Sequence, residues 1–148
     1  VEAEGSRLVF IACGAVRSET AEATAERLRA LHEGLAAVIA AHRPDEAAVE
    51  ETFVNRDPQS ALKLGLARGV ALVVPALAGL DVAEYAANLV KKTVTGSGHA
   101  EKRQVAMMVK VLLPRCEIVG SDSADALAVA ITHAHHREAR RRAMDRAR

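Results

Sequence analysis

Apolar and polar residues follow two rhythms along this chain, short β-rich runs and longer stripes at helical spacing. Val1 to Ala3, the turn Glu4-Gly5-Ser6 and Arg7 to Cys13 read as the end of one strand, a hairpin and a second strand rich in Val, Phe and Ile, closed by Gly14. Thr20 is then expected to cap a long helix running to about His42. Its Leu28, Leu31, Leu35, Val38 and Ile39 form one apolar stripe, with Glu22, Glu26, Arg29 and Glu33 facing water and Pro44 marking the stop. Ala47 to Glu51 reads as a short strand. Asp57-Pro58 is a cap followed by proline at the first helical position, and opens a second helix over about 58–74 that Pro75 ends or kinks. Asp81 to Ala86 is a further strand, followed by a polar stretch from Asn88 to Thr95 and a glycine hinge, Gly96-Ser-Gly98. A third helix is expected over about 99–113, stopped by Pro114, and a last one from Asp122 into a basic tail. Strand and helix alternate after the hairpin, which argues for an α/β fold with helices covering a mixed sheet, in a single domain over residues 1–148.

Composition changes this picture in a few places. Half of the residues are apolar but only 2% are aromatic, so Ala, Val and Leu must build the core, and Tyr85, Phe10 and Phe53 can be weighed one by one. Two glycines, Gly65 and Gly69, follow Ala61 at four-residue steps in the second helix. Each costs about 1 kcal/mol against Ala in a helix interior, so the groove they make suggests a close contact that offsets the loss, such as one with a second subunit. The net charge of +1 neither demands nor excludes nucleic acid, yet six arginines lie between Arg137 and Arg148 against Glu138 and Asp145. Such a tail suits phosphates, and equally a solvated helix end. Cys13 and Cys116 have no metal-type spacing and fit free thiols in a reducing compartment. No apolar stretch is read as reaching the ~18 residues of a membrane span, and no signal-peptide pattern opens the chain, so a soluble cytoplasmic protein is the expectation.

Candidate chemistry centres on carboxylates. Asp122 and Asp125, three apart at the start of a helix, share a face, and one cation can touch both. Mg²⁺ takes oxygen ligands, keeps several waters and is usually held by one or two carboxylates together with a substrate phosphate, so these two with Glu50 at a strand end would suit it. The same Asp-x-x-Asp pattern also serves as a helix cap. Phe53, in a polar loop, either tucks into the core or stacks on an unpaired base. Lys102 is expected in the first turn of the third helix, where a cation opposes the dipole. Beside a glycine-framed helix start it could add its charge to a phosphate held by backbone amides, with Lys91 and Lys92 touching the same backbone. His133, His135 and His136, near a helix end, gain from the dipole without any metal.

Several longer motifs occur together and in order: Ser60-Ala-Leu-Lys-Leu-Gly-Leu-Ala-Arg-Gly69, Glu84-Tyr-Ala-Ala87, Lys91-Lys-Thr-Val94, Gly98-His-Ala-Glu-Lys102, Asp122-Ser-Ala-Asp-Ala-Leu-Ala128 and Ile131-Thr-His133. In these the chain closely resembles the bacterial RuvC family of Holliday-junction resolvases over nearly its whole length. The resemblance implies a ribonuclease H-like mixed sheet flanked by helices, a homodimer, and Mg²⁺-dependent nicking of two strands of a four-way DNA junction. Two ions per subunit, with Mn²⁺ as a substitute, would be held by Glu50, Asp122 and Asp125. Lys91 and Lys102 would match the family's functional lysines and Phe53 its junction-contacting aromatic, with Lys92 beside them on DNA. RuvA and RuvB would be partners in branch migration. The family opens with a strand carrying Gly-Ile-Asp-Pro-Gly and then Thr-Gly-x-Gly, and this sequence begins at Val1 just beyond both. On that reading the chain is N-terminally truncated, without its first strand and part of the second and without the first catalytic aspartate, and is expected to be poorly stable and inactive. Two other functions are compatible with the same residues: a ribonuclease acting on hybrid duplexes, and a junction-binding module without catalysis.

Overall fold

The computed structural model of the protein describes residues 1–5, 7–19, 21–51 and 57–146, with side chains described as far as Arg137. Two compact units divide the chain: residues 15–84 form one, and residues 1–14 together with 85–148 form the other.

In the unit 15–84, helix α1 spans Thr24–His42 and helix α2 spans Pro58–Leu77, and the two pack on each other. Strand β3, Glu46–Glu51, pairs with β4, Asp81–Ala86, whose last two residues pass into the other unit. Helix α1 begins at Ala23, which caps it without a side-chain hydrogen bond, and the expected cap Thr20 lies outside the described residues. It ends at His42, two residues before Pro44: Arg43 takes the left-handed conformation at φ 46° and donates its amide to the Ile39 carbonyl. On its polar face Arg29 pairs with both Glu26 and Glu33. The apolar face is only half-covered, and Val38 is exposed.

Helix α2 starts as the Asp57-Pro58 pair predicts. The Asp57 carboxylate accepts from the amides of Gln59 and Ser60 and from the Ser60 hydroxyl. Proline at the first position loses nothing there, because that amide has no helical partner. The helix does not stop at Pro75, as the sequence suggested, but runs on to Leu77. Pro75 falls in the last turn, where one missing amide costs a single hydrogen bond, and its carbonyl still accepts from Leu80. By length and composition α2 could cross a membrane, with a mean hydropathy of 1.5, which corrects the expectation that no such stretch exists. Leu62, Leu66, Val73 and Leu77 make an exposed stripe along it, interleaved with the exposed Gly65 and Gly69.

The other unit starts with a short hairpin. Strands β1, Glu2–Glu4, and β2, Arg7–Val9, pair antiparallel with Ala3 opposite Leu8, so the second strand is shorter than the Arg7 to Cys13 run expected. Gly5 turns between them at φ 62°, a conformation that a Cβ would strain. Helix α3, Ala87–Thr95, occupies the stretch that looked merely polar. Its two buried side chains, Val90 and Val94, stand four apart and so lie on one face, and Gly96 closes it at φ 82°. Helix α4 spans Lys102–Leu112 and α5 spans Ser121–Arg146.

These three helices hold the core. On α5 the buried residues Ala124, Leu127, Ala128, Ile131 and Thr132 follow the i, i+3, i+4, i+7, i+8 pattern of one helical stripe, and Val129 is buried beside it. Facing α5 are α3 and α4, with Val90, Val94, Val105 and Val109 buried, and Leu113 is buried just after α4. Thr132 is polar yet fully buried, and its hydroxyl donates to the Ala128 carbonyl one turn back.

Ile131→Ala should therefore destabilise the protein by about 2–5 kcal/mol, as lost transfer energy adds to an unfilled cavity. Urea unfolding monitored by circular dichroism measures it. A pH effect follows from α2. The Ser60 hydroxyl, then the Gln59 and Ser60 amides, hold the Asp57 carboxyl below the usual carboxylate range. Because the folded value lies below the unfolded one, this stabilisation is fully present above the unfolded pKa and is lost as pH falls through the folded one. The gap in melting temperature between wild type and Asp57→Ala should be constant near neutrality and close once pH drops below about 4.

Candidate active site

The starts of α4 and α5 come together in the second unit and place the candidate residues. Gly120, at φ 83°, turns the chain into α5, and Asp122 lies in the first turn with Asp125 three residues on, so the two carboxylates share a face. The Ser121 hydroxyl donates to Asp122 at 3.1 Å. Asp122, in the first turn, gains from the positive end of the α5 dipole by about 0.3–1 kcal/mol at an exposed site.

Helix α4 begins later than the glycine hinge suggested. Glu101 caps it, its carboxylate accepting from the Gln104 amide, while the Gln104 side chain accepts from the Glu101 amide at 2.8 Å. This reciprocal cap engages the Gln104 amide, one of the backbone donors at that helix end. Lys102 follows as the first helical residue, where its charge opposes the dipole as expected. Its Nζ lies 3.1 Å from Asp125 Oδ2, an ion pair joining two helix starts 23 residues apart. A depression of about 360 Å³ opens beside the pair, lined by Arg103, Ala106, Ile118, Gly120, Ser121 and Ala124. Arg103 and Ser121 were not singled out in the sequence, although each neighbours a residue that was. Cys13 also reaches this region, with Sγ 3.9 Å from the Ser123 carbonyl.

Other candidates are placed as follows. Lys91 and Lys92 lie on α3 in the same unit, the first half-buried and the second exposed. Glu50 is exposed near the end of β3, as expected for a strand-end ligand, but belongs to the unit 15–84. Its backbone carbonyl accepts from Arg68 Nε, and the Arg68 guanidinium also pairs with Glu84. Phe53 lies outside the described residues. Among the described residues no three His, Cys, Asp or Glu side chains gather closely enough to enclose a metal ion. The donor set of the α5 pair nevertheless fits Mg²⁺, which takes hard oxygen ligands, needs only one or two carboxylates and fills the rest of its shell with water and phosphate. His133 has a different role. Its Nδ1 is 2.9 Å from the hydroxyl of buried Tyr85, and His136 packs on the same ring at 5.5 Å between centroids.

Comparison with known proteins assigns the class. A model of the family described as crossover junction endodeoxyribonuclease RuvC matches residues 1–133. Two proteins of that name are similar along most of this chain. The one from Methylocella silvestris is 72% identical over 140 residues, covering 95% of this chain and 80% of its own, and the one from Beijerinckia indica is 67% identical over 137 residues, covering 93% and 78%. The protein belongs to the RuvC family of crossover junction endodeoxyribonucleases. Solved structures agree. RuvC of Thermus thermophilus superposes with a TM-score of 0.79 at 37% identity, covering 90% of this chain and 82% of that one. The same protein in complex with a Holliday junction substrate gives 0.77 at 39% identity, covering 83% and 75%. The fold is thus the ribonuclease H-like one of RuvC.

Proposed function

We propose that this protein is a structure-selective endonuclease of the cytoplasm that resolves four-way DNA junctions by metal-dependent phosphodiester hydrolysis, and that both units act as one nuclease domain. The observation that carries this reading is the Asp122, Asp125 and Lys102 group at the adjoining starts of α5 and α4, in a chain of the RuvC family. Asp122 and Asp125 would hold Mg²⁺, or Mn²⁺ in its place, with Glu50 as the third carboxylate. When bound, a pair of such ions activates water and stabilises the leaving oxygen of an in-line displacement. Lys102 and Lys91 orient and neutralise the phosphate, Lys92 adds charge along the backbone, and Phe53 supplies a stacking surface at the junction. Recognition by shape and backbone contacts makes binding weaken as salt rises.

In the enzyme carrying this sequence, Asp125→Asn should abolish nicking, by at least a hundredfold, and leave junction affinity within a few-fold. A gel assay with labelled four-way junction at two salt concentrations reads both, with an RNA–DNA hybrid as the competing substrate. Preferential cutting of the hybrid would move the assignment to a ribonuclease.

The exposed stripe on α2 supports a homodimer, which would set two sites against the two-fold character of a junction. A Cβ added at Gly65 or Gly69 meets nothing within 4 Å inside the chain, so the four-residue glycine groove is open to another backbone. Leu62→Glu combined with Val73→Glu should convert a dimer to a monomer in light scattering, and an unchanged mass would remove α2 from the interface. Partnership with RuvA and RuvB belongs to the same proposal.

A further inference from the structure

The contact between Lys102 Nζ and Asp125 Oδ2 places a cation on one of the carboxylates that would take the metal. We infer that Lys102 and the divalent cation are alternative occupants of Asp125, so that loading the metal expels the ammonium and makes it available to the scissile phosphate. This rests on the metal-dependent reading above and adds an order of events to it.

Three observations support the exchange. First, the pair is exposed, with the side chains of Lys102 and Asp125 at 73% and 37% of full exposure, so the ammonium can leave into water without opening the core. Second, Lys102 is the first residue of α4, where the dipole repels a cation. The ion pair with Asp125 offsets part of that repulsion, and a metal at Asp125 would remove that offset and add a second positive field. An anion then becomes its favoured partner. Third, the depression beside the pair is open to a phosphate group and carries a second cation, Arg103. A lysine that guards the carboxylate before loading and faces the phosphate afterwards links the two binding events, since each favours the other.

The test is Mn²⁺ binding to the DNA-free protein by electron paramagnetic resonance at constant ionic strength, so the readout is independent of cleavage. Exposed ion pairs contribute little, so Lys102→Gln should tighten Mn²⁺ binding by about 2- to 5-fold. Arg103→Gln removes a neighbouring charge without removing the ammonium from Asp125 and should produce a smaller change. Equal effects of the two variants, or no gain in Lys102→Gln, would overturn the exchange and reduce Lys102 to general electrostatics. Asp125→Asn separates this from failure of the metal site itself. If it weakens Mn²⁺ binding while Lys102→Gln gains nothing, the carboxylate is a ligand and only the exchange is wrong. If Asp125→Asn binds Mn²⁺ as wild type does, the metal reading falls with it. Circular dichroism of each variant confirms that the fold persists.

Discussion

The burial of one stripe of α5 against α3 and α4 fixes the geometry on which the candidate site depends. Ala124, Leu127, Ala128 and Ile131 are inside, so the rotation of α5 about its axis is set, and with it the direction of every other residue on that helix. Asp125 falls beside this stripe, partly exposed, and Asp122 is exposed further round the helix, so a carboxylate reaches solvent while the helix backbone is held by the core. Small residues make this possible. Ala124 and Ala128 allow the helices to approach closely in a protein almost without aromatics. Filling those positions with larger side chains would push α5 away from α4 and separate Asp125 from Lys102.

Electrostatics at the helix ends then sorts the charged groups. The start of α5 favours Asp122, and the start of α4 already has a carboxylate cap in Glu101, which leaves Lys102 as the unfavourably placed charge. A protein under selection for stability alone would put an acidic or neutral residue at that position. The observed lysine is compensated by an ion pair that is weak because it is exposed. Weakness suits a contact that must break during each catalytic cycle, whereas a buried pair of the same geometry would resist the exchange by several kcal/mol.

Much of this architecture was legible in the sequence where one signal was strong. Asp57-Pro58 placed the start of α2 to the residue, because capping chemistry acts locally, and Asp81 to Ala86 gave β4 with its observed bounds. Helix α3 escaped notice since Asn88, Lys91, Lys92, Thr93 and Thr95 outnumber its apolar residues. Only the four-residue step from Val90 to Val94 marks its buried face. Pro75 misled because the missing amide forfeits one hydrogen bond without ending the helix, and the Pro75 carbonyl still accepts from Leu80. In the site, the Asp122 and Asp125 pair could be read from spacing. The Lys102 contact could not, because 23 residues and a turn separate the partners and nothing local joins them. The family motifs named both residues without revealing that they touch.

Helix α2 shows how composition alone can mislead about environment. Its length and mean hydropathy of 1.5 would allow it to cross a bilayer, but Lys63 and Arg68 lie in its interior. A cation at the centre of a membrane helix costs about 2.5–3.5 kcal/mol even on lenient scales. Arg68 moreover is tied to Glu84 and to the Glu50 carbonyl within its own unit, so its charge is part of that unit's packing and not snorkelling toward a lipid headgroup. Leu62, Leu66, Val73 and Leu77 form an exposed stripe beside Gly65 and Gly69, while Leu64 is exposed on another side of the helix. An apolar stripe with room for close backbone approach is what a second protein surface needs. The same stripe that raises the hydropathy of α2 is the surface on which the proposed homodimer rests.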